Sequence, residues 1–351
     1  MAQLTKIVLV TGAPGNSGLA YFYNLALRDI SGLRTELIDN GQSSYNRTFA
    51  KRVRMRVSRD LGFLARRQCL RILESIGGEF DSTAIVLFNL GALRAKELIS
   101  LRKKGTNLYA YFPDSPFGMT RRSSQTLLNI LPLFRAVFTP LRDLVPVFYQ
   151  NGAQFVYRVP FAYCRYTHLI DNDSPRPHDG RLYYFGTYGP LIEKWLAVLA
   201  DFNLVIHGHD WGGAIHPELR AASEHPIAID HEMAKIANGQ LVINFVRTQH
   251  GGCHSMKTFE LPAAGACVIT NRTEEQVEFF PEGSNISYFN TADEMKELVK
   301  YFIAHPESIK TKINQRYGFI SNHSYHDRAE VILQHIINCF DGGIASELRT
   351  R

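Results

Sequence analysis

The chain has 351 residues, 45% hydrophobic and 21% charged, an ordinary globular composition that excludes long disorder, collagen-like repeats and a disulfide scaffold. Its formal charge of +6 is concentrated: Arg47–Arg71 holds nine basic residues against one acid, Asp60, a local net of +8, and the remainder carries −2. The length predicts two domains rather than one core. The five cysteines are scattered, with no C-x-x-C pair, which points to reduced thiols in a cytoplasmic setting and away from a zinc site. The first apolar run, Ile7–Val10, is too short for a signal core or a membrane span, and no later run approaches a spanning length.

Lys6–Thr11 (KIVLVT) reads as a buried strand, followed by the turn TGAPGNSG (Thr11–Gly18) and a helix over Gly18–Asp29. Gly12, Gly15 and Gly18, with Asp39 closing the second strand, resemble the fingerprint of short-chain dehydrogenases and sugar-nucleotide epimerases. Those enzymes need a lysine four residues after a catalytic tyrosine, and none of the sixteen tyrosines here has one. The oxidoreductase reading therefore recedes. What remains is a turn whose backbone N–H groups, with Gly15 and Asn16 at its tip, suit an anion or simply strand–helix packing.

The basic block follows. On a helical wheel Arg52, Arg56, Arg59, Arg66 and Arg67 share an arc of about 120°, opposite Val53, Val57, Leu61, Leu64, Ala65 and Ile72. Such a helix presents a solvated face, lies on an anionic membrane or grips nucleic-acid phosphates. No nucleic-acid-reading motif supports the last reading.

Leu33–Asp39, Thr83–Asn89, Leu108–Phe112, Ala136–Thr139 and Phe155–Val159 read as the other strands of the first half. Asp114 in YFPDSPF (Tyr111–Phe117) sits just beyond one of them, between Pro113 and Pro116, as a candidate base. Asp171–Gly180 (DNDSPRPHDG) has linker composition. In the second half, Leu182–Gly186, Leu204–Gly208, Leu241–Phe245, Ala266–Asn271 and Asn285–Phe289 read as strands. Continuous apolar strands alternating with helices predict an α/β chain of two Rossmann-like domains with parallel sheets. The boundaries are 1–165, a linker at 166–181, 182–330, and a helix at 331–351 that packs back on the first domain.

The second half carries the strongest pattern. Ser255 is a candidate N-cap for a short helix containing Lys257, Thr258 and Glu260, bent by Pro262 and ending near Gly265. Its N-terminus offers N–H groups and a cation to a diphosphate, and Glu260 offers two acceptor oxygens to a ribose diol.

Lys257-Thr258-Phe259-Glu260, Ala263-Ala264-Gly265, Glu278-Phe279-Phe280 and His323-Ser324-Tyr325-His326-Asp327-Arg328 together resemble the C-terminal domain of CgeB-like (spore maturation) glycosyltransferases. That is a GT-B group related to the group 1 glycosyltransferases. FGTYGP (Phe185–Pro190), HGHDW (His207–Trp211), YFPDSPF and VPFA (Val159–Ala162) are similar to further segments of that group. Two departures stand out. The arginine usual after the Gly-Thr turn is Ile192 here, leaving Lys194 as the nearest cation, and position 252, where the wider group carries a first glutamate, is Gly252.

The resemblance implies two Rossmann-like domains facing across an interdomain cleft. It also implies a metal-independent transfer of a sugar from a UDP-, GDP- or dTDP-sugar to a saccharide, lipid-linked or protein acceptor. Asp171-Asn172-Asp173 lies in the linker, where it reads as solvated rather than as a metal motif. Under this reading Gly186, Thr187, Lys194, Ser255, Lys257 and Thr258 meet the diphosphate and Glu260 the ribose. His209 and Trp211 line the base or sugar pocket, and Asp114 and His254 compete as base. The basic block then bears on the acceptor, as an anionic membrane contact at the inner face, with nucleic acid less favoured. The alternatives are a nucleic-acid-modifying glycosyltransferase and a GT-B sugar-nucleotide epimerase.

Overall fold

The structure is a computed structural model that describes residues 3–12, 18–39, 60–115, 128–170, 176–224, 227, 230–246 and 253–340, with backbone alone for 60–64, 91, 92 and 317. The chain forms two compact units: Met1–Pro160 with Tyr325–Arg351, and Phe161–Ser324. Each is built on a six-stranded, wholly parallel sheet, and the expected α/β class with two Rossmann-like domains is the one observed.

In the first unit the strands are β1 (Lys6–Thr11), β2 (Arg34–Asp39), β3 (Thr83–Phe88), β4 (Asn107–Tyr111), β5 (Ala136–Thr139) and β6 (Val156–Arg158), in the order β2-β1-β3-β4-β5-β6. The runs KIVLVT and TAIVLF are buried along their whole length because helices cover both faces of a parallel sheet. β2 is an edge strand and keeps charge. Its Glu36 pairs with Lys6, a buried lysine that also donates to the Ser75 carbonyl at 2.6 Å. Burial alone would raise the Glu36 carboxyl, but hydrogen bonds from Ser75 and Lys6 hold it below its usual range.

The helices here are α1 (Leu19–Ile30), α2 (Asp60–Ile76), α3 (Ala95–Lys103) and α4 (Leu144–Gln150). α2 carries the end of the basic block. Ala65, Cys69, Ile72 and Ile76 face inward, while Arg66, Arg67 and Arg71 are exposed, the division that amphipathic spacing demands. Arg52, Arg56 and Arg59, and Gly15 and Asn16 of the glycine turn, lie outside the described residues.

The second unit contains β7 (Leu182–Phe185), α5 (Pro190–Ala197), β8 (Leu204–His207), α6 (Pro217–Ala221), β9 (Ser223–Glu224), α7 (Asp230–Ala237), β10 (Leu241–Asn244) and α8 (Lys257–Ala264). It continues with β11 (Cys267–Asn271), α9 (Glu274–Phe279), β12 (Ile286–Phe289), α10 (Ala292–Ala304), α11 (Pro306–Asn314) and α12 (Tyr317–Ile320). Its order β12-β11-β10-β7-β8-β9 places β7 beside β10, although β8 and β9 intervene in sequence. That reversal is the switch point of a dinucleotide-type sheet, outside whose strand ends ligands bind.

The described part of the proline-rich segment is held rather than free. Gln240 accepts from the Asp179 N–H and donates to the Pro177 carbonyl, and Asn238 accepts from the Arg176 N–H. The final helix, α13 (Tyr325–Phe340), belongs to the first unit. There Tyr325 stacks on Phe22 and meets Tyr23 edge-on. His326 bonds Asp29 at 2.7 Å, and Arg135 donates to the Cys339 carbonyl. Among the described residues no helix is long and apolar enough to cross a membrane, and all five cysteines are free thiols.

Candidate active site

The centre of the candidate site is α8, which follows β10 in the chain and packs against it, and so starts near the switch point. Every residue from Thr258 to Ala264 is buried. The helix ends at Gly265, whose φ of +83° closes a left-handed cap. A Cβ there would lie 2.2 Å from Arg316 Nη1, so glycine is required twice over.

Ser255 is not the N-cap. Met256 takes that position in helical conformation without a side-chain hydrogen bond, and the Ser255 N–H donates to Thr258 Oγ1 at 3.1 Å. Thr258 is also spent on packing, donating to Gln276 Oε1 at 3.3 Å. Among the described residues the Ser255 hydroxyl is left buried without a hydrogen bond.

Glu260 is 3% exposed, and its carboxylate has no hydrogen bond among the described residues. Its nearest partner is His168, with Nε2 at 3.7 Å from Oε1. Burial raises the Glu260 carboxyl above its usual range, with Lys257 pulling the other way. Burial also pushes His168 down to about 4, so it is neutral at pH 7. His168 belongs to no motif and has no distinctive spacing in the sequence.

An aromatic cluster backs this helix. Phe259 packs 5.1 Å from Phe279, 5.7 Å from Phe280 and 5.4 Å from His323. Phe279, Phe280 and His323 thus pack around the residue preceding Glu260 and fix the helix that carries it.

His254 belongs to the same cluster, and its hydrogen bonds do not suit the base expected of it. It is fully buried, accepts the Phe161 N–H at Nε2 (3.0 Å), and engages Glu275 through Nδ1 at 2.6 Å. With both ring nitrogens occupied it has no lone pair for a substrate proton. Asp114, in the first unit, is exposed just past β4.

At the β7 and β8 ends, Gly186 and Gly208 approach so closely that a Cβ on Gly208 would lie 1.8 Å from the Gly186 carbonyl oxygen. Trp211 donates to that carbonyl at 2.8 Å. It is 1% exposed and edge-on to Tyr184 and Tyr188, so it is a core residue and not a pocket wall. Thr187, Lys194 and His209 are exposed on the same loops and on α5.

Ile192 is 4% exposed within the core cluster that contains Leu196 and Trp211. No cation has been lost from a solvent-facing position, because this position faces inward. Ile192→Arg is therefore expected to destabilise the fold by on the order of 3–5 kcal/mol, through an uncompensated buried guanidinium, and to lower the thermal midpoint. A midpoint unchanged within error would show that the position reaches solvent.

Residues 189–334 match the family described as glycosyl transferase-like. Three solved structures share the fold. HepE from Anabaena, in complex with UDP-glucose, superposes with a TM-score of 0.60 at 12% identity, covering 95% of this chain and 99% of that one. S. aureus MnaA with UDP gives 0.56 at 12% identity, covering 97% and 98%. UDP-GlcNAc 2-epimerase from Neisseria meningitidis, bound to UDP-GlcNAc, gives 0.56 at 11% identity, covering 95% and 100%. No curated protein matches the chain by sequence. The two parallel-sheet units and these neighbours show a two-domain GT-B fold, and within it residues 189–334 are similar to a glycosyl transferase-like domain.

Proposed function

We propose that the enzyme transfers a sugar from a nucleoside-diphosphate sugar to a saccharide, lipid-linked or protein acceptor, without a bound metal, as a CgeB-like glycosyltransferase. The observation that carries this reading is Glu260, a buried carboxylate with no hydrogen bond among the described residues, on a helix beginning beside the switch point. A buried acceptor without a partner is costly unless a ligand supplies the donors. A ribose diol supplies two.

Lys257 and the Ser255 hydroxyl, which has no hydrogen bond among the described residues, lie in the turn before Glu260, and with Gly186, Thr187 and Lys194 they meet the diphosphate. Their task is to stabilise the charge that develops on the leaving diphosphate as the glycosidic C–O bond lengthens. Asp114 is the base we assign to the acceptor hydroxyl, His209 lies at the rim, and Trp211, Thr258 and His254 support the scaffold. Arg66, exposed with Arg67 and Arg71 on α2, meets an anionic acceptor or membrane surface in the cytoplasm.

The test is a screen of UDP-, GDP- and dTDP-sugars for thermal stabilisation, where ligand at a hundred times Kd adds about 2.7 kcal/mol. One ribonucleotide series, UDP or GDP, is expected to raise the midpoint more than the 2′-deoxy dTDP series does, and failure of all three at millimolar concentration would sink the reading. Transfer should persist in EDTA. Loss restored by Mn²⁺ would overturn metal independence, and donor turnover without any acceptor would identify an epimerase instead.

A further inference from the structure

We infer that His168 positions the Glu260 carboxylate, and that the pair selects a ribonucleoside diphosphate over its 2′-deoxy counterpart. This rests on the reading of Glu260 as the ribose acceptor. His168 sits at the end of one tight turn closed at both ends. Its own N–H donates to the Cys164 carbonyl at 2.8 Å, and its Nδ1 accepts the Cys164 N–H at 2.9 Å. Because Nδ1 is an acceptor, the ring proton of the neutral imidazole must sit on Nε2. That nitrogen is 3.7 Å from Glu260 Oε1, longer than a formed hydrogen bond and within reach of one after a small rotation.

The ring is fully buried, so its direction is set by the turn and not by solvent. With a donor fixed beside Oε1, the carboxylate plane is held and its remaining lone pairs are presented to two sugar hydroxyls. A ligand lacking the 2′-hydroxyl leaves one of those buried acceptor sites empty, and sites built this way reject such analogues strongly. The charged and titratable groups around the pair are Lys257 and Cys164 near Glu260, with Asp230 and His231 near His168. Burial keeps His168 neutral down to about 4, so a single tautomer serves across the binding range.

The experiment measures Kd for UDP and 2′-deoxy-UDP by calorimetry across pH, in the wild type and three variants. His168→Asn retains an acceptor for the Cys164 N–H but cannot reach Glu260. His168→Gln extends an N–H toward the position of Nε2. Wild type is expected to prefer UDP by about tenfold or more, Asn to lose most of that preference with 2′-deoxy-UDP affinity nearly unchanged, and Gln to recover it. Donation from Nε2 favours the ionised carboxylate, so its loss in the Asn variant should move the acid limb of UDP binding to higher pH. An Asn variant with full preference and an unmoved limb would overturn the role of His168, provided Glu260→Gln removes the preference. If Glu260→Gln leaves the preference intact, the ribose reading itself fails.

Discussion

Replacing Glu260 with alanine is expected to weaken nucleoside-diphosphate binding by about a hundredfold while the protein becomes more stable. The affinity loss corresponds to two hydrogen bonds from ribose hydroxyls to a charged, buried acceptor. The stability gain follows from the same burial. The Glu260 carboxyl is raised in the folded protein, so between its ordinary pKa of 4.5 and its raised value the native state holds a proton that the unfolded chain has lost. Stability therefore falls as pH rises through that window, and above it the ionised group works against the fold. Glu260→Ala, and Glu260→Gln with less change of shape, remove that slope. Calorimetry against UDP and a urea titration at pH 5 and pH 8 check both halves. Unchanged affinity would sink the ribose assignment. An unchanged difference in unfolding midpoint between the two pH values would show that the carboxylate reaches water freely.

Such opposition between binding and stability marks what sequence reading sees well and what it misses. Central strands were legible because their physics is one-dimensional: KIVLVT or LVIN must be buried on both faces, and few structures other than a helix-covered parallel sheet allow that. β9 was not legible, since Ser223-Glu224 is a two-residue edge without an apolar run. Gly265 was readable as a cap because glycine at a helix end has a local cause.

The polar residues were harder to read. Ser255, Thr258, Trp211 and His254 have the chemistry of ligand contacts. What separates a contact from a scaffold residue, however, is whether its hydrogen-bonding capacity is already spent. That is decided by partners distant in sequence, such as Gln276 for Thr258, the Gly186 carbonyl for Trp211, and Glu275 with the Phe161 N–H for His254. His168 shows the converse. Its importance comes only from a closed turn and from Glu260 far along the chain, and no spacing rule joins the two.

Of those scaffold residues His254 should be the most costly to remove. His254→Ala deletes an acceptor for the Phe161 N–H and a donor to Glu275, a carboxylate that is itself only 4% exposed. It also empties a ring-sized space among Phe161, Phe259 and Phe279, whose centroids lie 5.5, 5.4 and 5.1 Å away. The lost bond to a buried carboxylate, an unpaired backbone donor and an unfilled cavity together account for the cost, with the cavity and the donor each costing more than a kilocalorie. The expected loss is about 4 kcal/mol or more in a urea titration, enough to leave a marginal domain partly unfolded at 37 °C. Because Phe259 precedes Glu260 on α8, the surviving folded fraction should also bind UDP more weakly. A residue acting only as a proton acceptor would behave in the opposite way, with an unfolding midpoint and UDP affinity close to wild type and a turnover number that collapses. That outcome would return His254 to the chemistry. Loss of stability and of nucleotide affinity together would fix it as the post that holds the nucleotide-binding helix in place.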